Sequence, residues 1–160
     1  MEIPKIKKEI YAHLPEVLRL VKAGALEREM GVRNPYISSR LNRNQNGPYS
    51  IRSFKPSDVE LLNRGMWSLG QKLLQVELTY TGERDTDVPH LKQQLQDLFI
   101  KALIQDALGI SEIAVRMRML TGANGKYRKS FTAADYERLT LAVRQVGITL
   151  LSTEFYVETT

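Results

Sequence analysis

Two stretches of the chain are rich in cations and free of acid. Residues 30–57 hold Arg33, Arg40, Arg43, Arg52 and Lys55. Residues 113–134 hold Arg116, Arg118, Lys126, Arg128 and Lys129, and neither stretch contains Asp or Glu. Guanidinium and ammonium groups gathered without carboxylates suit contact with a polyanion such as a phosphate backbone, where one acid would repel the partner. Asn34, Tyr36 and Ser39 stand among the first set. Other chemistries find less support. Asp85, Asp87 and His90 bunch oxygen and nitrogen donors, but in a run of polar residues that reads as a charged connection rather than a metal site. His13 and His90 are the only histidines, and the chain has no Ser-His-Asp order, glycine-rich phosphate loop or paired Glu/His helix. These residue types point to a binding protein rather than an enzyme, without cofactor or metal.

The two cationic stretches are one pattern written twice. Gly31 placed over Gly109 puts Met30 over Leu108, Val32 over Ile110, Ile37 over Val115, Arg40 over Arg118 and Leu41 over Met119. Asn46-Gly47 then falls on Asn124-Gly125 and Tyr49 on Tyr127. With one residue dropped, Ser53-Phe54 meets Ser130-Phe131 and Asp58 meets Asp135. Upstream, the same offset sets Val17 over Leu95, Leu20 over Leu98 and Val21 over Phe99. A match of this kind fixes the architecture before any single element is assigned.

The elements that must position these residues read as helices. In the first copy "PEVLRLVKAG" and "ALEREMG" have helical apolar spacing, with Gly24 and Gly31 suited to helix ends. Asn34 is placed to cap a short helix with Pro35 at its first position, and Ile37 and Leu41, four apart, share one buried face. Pro56 opens a long helix with the apolar stripe Val59, Leu62, Met66, Leu69 and Leu73. In the second copy Ser111 caps the short helix, and Thr132 to Asp135 form a capping box before Tyr136, Leu139, Val143, Val146 and Leu150. Residues 79–90, "TYTGERDTDVPH", read as a polar connection. Short extended pieces are expected at Tyr49–Phe54 and in the C-terminal "FYVE". The expected division is therefore 1–78, a linker at 79–90, and 91–160.

An apolar helix, a Gly, an aliphatic, polar residues and then an aliphatic six after the Gly describe two helices meeting across a tight turn. In "GVRNPYISSRLN…NG…KPSDVELL" and "GISEIAVRMRM…NG…FTAADYERL" this order resembles the helix-turn-helix of phage-repressor-type DNA-binding domains. The resemblance implies an all-α fold of two tandem lambda-repressor-like bundles. It also implies that the second helix of each motif enters a major groove of double-stranded DNA. Asn34, Tyr36, Ser39 and Arg40 would then face base edges, with Arg43, Arg52 and Lys55 on phosphates; Arg33 belongs to the same surface. In the second copy the equivalents are Glu112, Ala114, Met117 and Arg118, with Arg116, Lys126, Arg128 and Lys129 supplying charge. Because the copies differ at these positions, an asymmetric target is implied.

The totals are compatible with that expectation. The chain has 160 residues, 42% of them apolar, and a net charge of +5. Residues 1–80 hold thirteen Lys and Arg against eight Asp and Glu, whereas residues 81–160 hold ten of each, so the first half carries the excess. There is no Cys, no apolar run near the ~20 residues of a membrane span, and no apolar h-region in "MEIPKIKKEIYAHL". A cytoplasmic regulator without membrane attachment is expected. The rival expectation is a protein-interaction module in which the long helices, through Met66, Trp67 and Leu73, form a homodimer or partner interface.

Overall fold

A computed structural model describes residues 3–41, 53–119 and 130–158. Among them the chain is mostly helical, with eight helices and one two-stranded sheet. None of these helices is long and apolar enough to cross a membrane. The chain divides into two compact units, residues 1–74 with 146–160, and residues 75–145.

In the first unit β1 (Ile6–Glu9) runs into α1 (Ile10–Val17), followed by α2 (Ala23–Met30), α3 (Tyr36–Leu41) and α4 (Pro56–Leu74). The end of α8 (Ala133–Ser152) and β2 (Thr153–Tyr156) complete it. The strands pair in parallel, Ile6 opposite Thr153 and Glu9 opposite Tyr156. The C-terminal extended piece was expected; its partner β1 was not, because "IKKE" carries no strand alternation of its own. The free edge of β2 is closed by a side chain. Asn63 of α4 donates Nδ2 to the Phe155 carbonyl at 3.0 Å, and its Oδ1 accepts the Phe155 N–H at 2.8 Å. An amide thus stands in for a third strand.

The whole stripe expected on α4 is buried, Val59, Leu62, Met66, Leu69 and Leu73. It packs with Ile10, Leu14, Leu26 and Met30 into the core of this unit. The helices approach closely where side chains are absent: a Cβ on Gly65 would lie 2.7 Å from Met30 Cγ and 3.4 Å from the Leu26 carbonyl. Gly70 and Gly147, which occupy corresponding positions in the two copies, face each other. A Cβ on Gly147 would lie 2.9 Å from the Gly70 carbonyl oxygen.

The second unit holds α5 (Arg84–Gln94), α6 (Ile100–Leu108), α7 (Glu112–Met119) and the first part of α8. Its core is built from Leu91, Leu95, Leu98, Ile104, Val115, Phe131, Tyr136, Leu139 and Val143. The capping box at the head of α8 is present in both directions. Thr132 N–H donates to Asp135 Oδ2 at 2.9 Å and Asp135 N–H to Thr132 Oγ1 at 3.1 Å.

Several local expectations are corrected. Residues 84–90, read as connection, are the first turns of α5. Asp87 is buried and its carboxylate takes the N–H groups of Thr81 and Gly82 and the Thr81 hydroxyl, all at 2.8–3.0 Å. That carboxylate is consumed as a cap, and no group of three metal-ligating side chains occurs among the described residues. Gly24 does not end a helix: α1 stops at Val17 and Gly24 lies in the first turn of α2. Upstream the repeat runs one residue out of the expected offset. Val21 and Leu98 are both fully buried, whereas Leu20 and Phe99 are 36% and 42% exposed. The cause is length, since α6 has nine residues where α2 has eight. Asn34 does not cap α3 as a first-turn neighbour; α3 begins at Tyr36, whose N–H closes a turn on the Arg33 carbonyl. Tyr49–Arg52 of the expected extended piece lie outside the described residues.

Candidate nucleic-acid interface

Each unit contains the same corner. In the first, α2 ends at Gly31, whose φ of 74° and ψ of 29° are left-handed. Gly31 N–H bonds the Arg28 carbonyl and Val32 N–H the Glu27 carbonyl, a pair that satisfies the last carbonyls of the helix. In the second, Gly109 takes φ 65° and ψ 33° and bonds the Gln105 carbonyl. A side chain at either φ is strained, which is why both copies carry Gly there. After each turn one aliphatic of the short helix is fully buried, Ile37 in α3 and Val115 in α7. Burying such a side chain is worth about 1.5–3 kcal/mol. It fixes which face of the short helix points inward, and leaves Ser38 of α3 and Ile113 and Arg116 of α7 exposed.

The candidate site residues of the first corner divide into two kinds. Arg33, Asn34 and Lys55 are exposed. Arg40 and Tyr36 are engaged inside the unit. Arg40 Nε lies 3.3 Å from Asp58 Oδ2, its guanidinium stacks 3.6 Å from the Tyr36 ring centroid, and Nη1 donates to the Tyr36 carbonyl. The Tyr36 hydroxyl donates to Asp58 Oδ1, and the Lys55 N–H to Asp58 Oδ2 at 2.9 Å. Asp58 therefore caps α4 and grips α3 with the same carboxylate. Burial raises the Asp58 carboxyl, but the bonds from Tyr36 and the Lys55 amide and the Arg40 charge outweigh it and hold it below the usual aspartate value. Burial and the bond to that carboxylate push the Tyr36 hydroxyl up to about 12. Ser39 donates its hydroxyl to the Tyr36 carbonyl within its own helix. Arg43 and Arg52 lie outside the described residues.

The second corner repeats the backbone but not the charges. Arg118 donates Nη1 to the Ala114 carbonyl at 3.0 Å, the counterpart of Arg40 on Tyr36. Arg116 is exposed and lies 3.5 Å from Glu112 one turn earlier. Ser111 caps α7, as expected, by accepting the Ala114 N–H at 3.1 Å. Ala114 and Met117 are half-buried, while Glu112 and Ile113 are exposed. Lys126, Arg128 and Lys129 lie outside the described residues. The C-terminal carbonyls of α7 are held by a residue the sequence did not mark: Arg84 donates Nη2 to Arg118 O at 2.9 Å and to Met117 O at 3.4 Å.

Two carboxyl groups of the first corner were also missed as site residues. One is Asp58, visible only as a repeat match to Asp135. The other is Glu27 of α2, 2% exposed, whose Oε2 accepts the Ile37 N–H at 3.1 Å. Its signal is an acid on the buried face of a helix, between Leu26 and Met30.

No protein-family model matches the chain, and no curated protein or solved structure matches it.

Proposed function

We propose that the protein is a cytoplasmic, sequence-specific double-stranded DNA-binding regulator of phage or mobile-element type, built from tandem helix-turn-helix units. The observation that carries this reading is the corner itself. Twice in one chain, a left-handed Gly joins two helices, the second pinned by one buried aliphatic with its opposite face exposed. The acid-free cationic runs surround those same two helices in sequence, and a charged duplex requires just such a surface. In this reading Arg33, Asn34 and Ser38 take the outer positions of the first unit, while Arg40 and Tyr36 act from within. The protein binds rather than transforms its partner, and the unlike faces of α3 and α7 select two unlike half-sites.

One observation favours the rival reading. Trp67 of α4 is 53% exposed and lines a groove of about 850 Å³ with Ile3, Gln71, Leu74 and Leu151, a surface suited to a protein partner or a second copy. Met66 and Leu73, once its companions, are buried in the core of their own unit.

Selection of bound duplexes from a random pool, followed by fluorescence anisotropy across salt, separates the two. DNA binding gives an enriched sequence, and Arg33→Ala with Lys55→Ala shallows the slope of log affinity against log salt by about one per lost phosphate contact. No salt-dependent affinity for any duplex would reject it.

A further inference from the structure

We infer that Glu27 and Asp58 are the positioning residues of α3, setting the orientation of the proposed reading helix without touching DNA. The inference rests on the DNA-binding reading for its functional half and on geometry for the rest. The helix α3 has six residues, fewer than two turns, and helices this short have little stability of their own. Its orientation must come from outside. One buried aliphatic, Ile37, sets which face points inward, but a single contact leaves the tilt of the helix free.

Two carboxyl groups from the flanking helices remove that freedom. From α2, buried Glu27 accepts the Ile37 N–H at the leading end of α3. From α4, Asp58 takes the Tyr36 hydroxyl and lies 3.3 Å from Arg40 Nε, one turn further along. Both ends of α3 are thereby tied to carboxylates carried by two other helices, α2 and α4. The Glu27 tie is buried and the Asp58 tie half-buried, so breaking either leaves a desolvated polar group without its partner. Glu27 Oε1 is buried and accepts no bond from a described residue, so one oxygen does the positioning. The second copy supplies an internal comparison. Gln105 stands at the position of Glu27, keeping an acceptor without a charge, and the longer α7 is held at its other end by Arg84 instead.

The test uses the full chain with four variants, E27Q, E27L, D58N and D58A, and two readouts. The first is the ratio of affinities for the selected duplex and a scrambled one, with the salt slope measured alongside. The second is amide hydrogen exchange of residues 37–41, compared with α4 and α7 in the same sample. E27L and D58A are expected to lower the sequence preference about tenfold or more, the size of one lost base-pair discrimination, at an unchanged salt slope; both speed exchange in α3, E27L there alone and D58A also in the first turn of α4, which Asp58 caps. E27Q restores the parent preference and D58N restores part of it, because both keep an acceptor. Unchanged preference and unchanged α3 exchange in E27L and D58A would overturn the inference, and so would a changed salt slope, which would place Asp58 at the phosphates. If no duplex binds, the DNA reading falls while the exchange data still decide whether these two groups position α3. Should E27L fail to fold, D58A against D58N decides.

Discussion

Asp58 concentrates the electrostatics of the first unit in one carboxylate. It caps α4 through the Lys55 amide, accepts the Tyr36 hydroxyl and faces the Arg40 guanidinium. Glu29, its side chain 6% exposed, is the second such group. Burial pushes it up, but bonds from Lys72 at 2.8 Å and Ser68 at 2.6 Å and the Lys72 charge hold it below its ordinary value of 4.5. A carboxyl group lowered in the folded chain adds stability above its unfolded value, and that stability is lost as pH falls through the folded one. Thermal unfolding followed from about pH 6 down to about pH 3 should therefore fall steeply below about pH 4.5, and less steeply in D58N, which has one such group fewer. Equal slopes for the two proteins would contradict this account. In the alkaline limb the sign is reversed. Tyr36 and Tyr136 are both raised to about 12, Tyr136 by burial first and then by the charge of Asp87. Between an ordinary tyrosine's 10 and that value the unfolded chain ionises first, so stability declines as pH rises.

Elements here are set as much by missing side chains as by present ones. The spacing of apolar residues was enough to locate α4 and α8, and the Gly positions were enough to end α2 and α6, because period and left-handed backbone are local properties. The close approach of Gly70 and Gly147 was not legible, since a glycine inside a helix ordinarily signals weakness rather than contact. Gly147→Ala tests it. Helix propensity favours Ala by about 1 kcal/mol, but the new Cβ would meet the Gly70 carbonyl oxygen at 2.9 Å and the Leu74 nitrogen at 3.2 Å, both backbone. The expected result is a net loss of about 1–3 kcal/mol, the usual cost of overpacking. Gly24→Ala, where nothing lies within 4 Å of the added carbon, should be neutral or stabilising. Chemical denaturation of both variants measures the difference, and a stabilised Gly147→Ala would remove the close approach as a constraint.

At the scale of the molecule, the first unit is completed by residues distant in sequence. Leu150, Leu151 and Phe155 are buried, Thr153 to Tyr156 pair with β1, and Asn63 holds Phe155 by both backbone groups. A fragment of residues 1–78, the division that sequence alone recommends, lacks all of these. It should show no cooperative unfolding transition by circular dichroism, whereas residues 146–160 added in trans or by fusion after residue 78 should restore one. A cooperative fragment 1–78 would mean that the C-terminal segment is dispensable. If DNA is the partner, joining two readers in one chain makes the second contact intramolecular, which raises affinity without new contacts.

The sequence by itself determined the helical character, the Gly that closes each corner, the buried stripes of the long helices and the capping box at Thr132, because each depends on neighbours within a turn or two of the chain. It also marked the cations. Only the tertiary structure decided which cations are free: Arg40 is held by an acid eighteen residues onward, and Asp87 is spent on its own loop. Likewise β1 became a strand because β2, nearly the length of the chain away, offered it hydrogen bonds. Local patterning specifies conformation and burial, whereas the partner of a charge or of a strand edge is set by long-range contacts that no window of sequence contains.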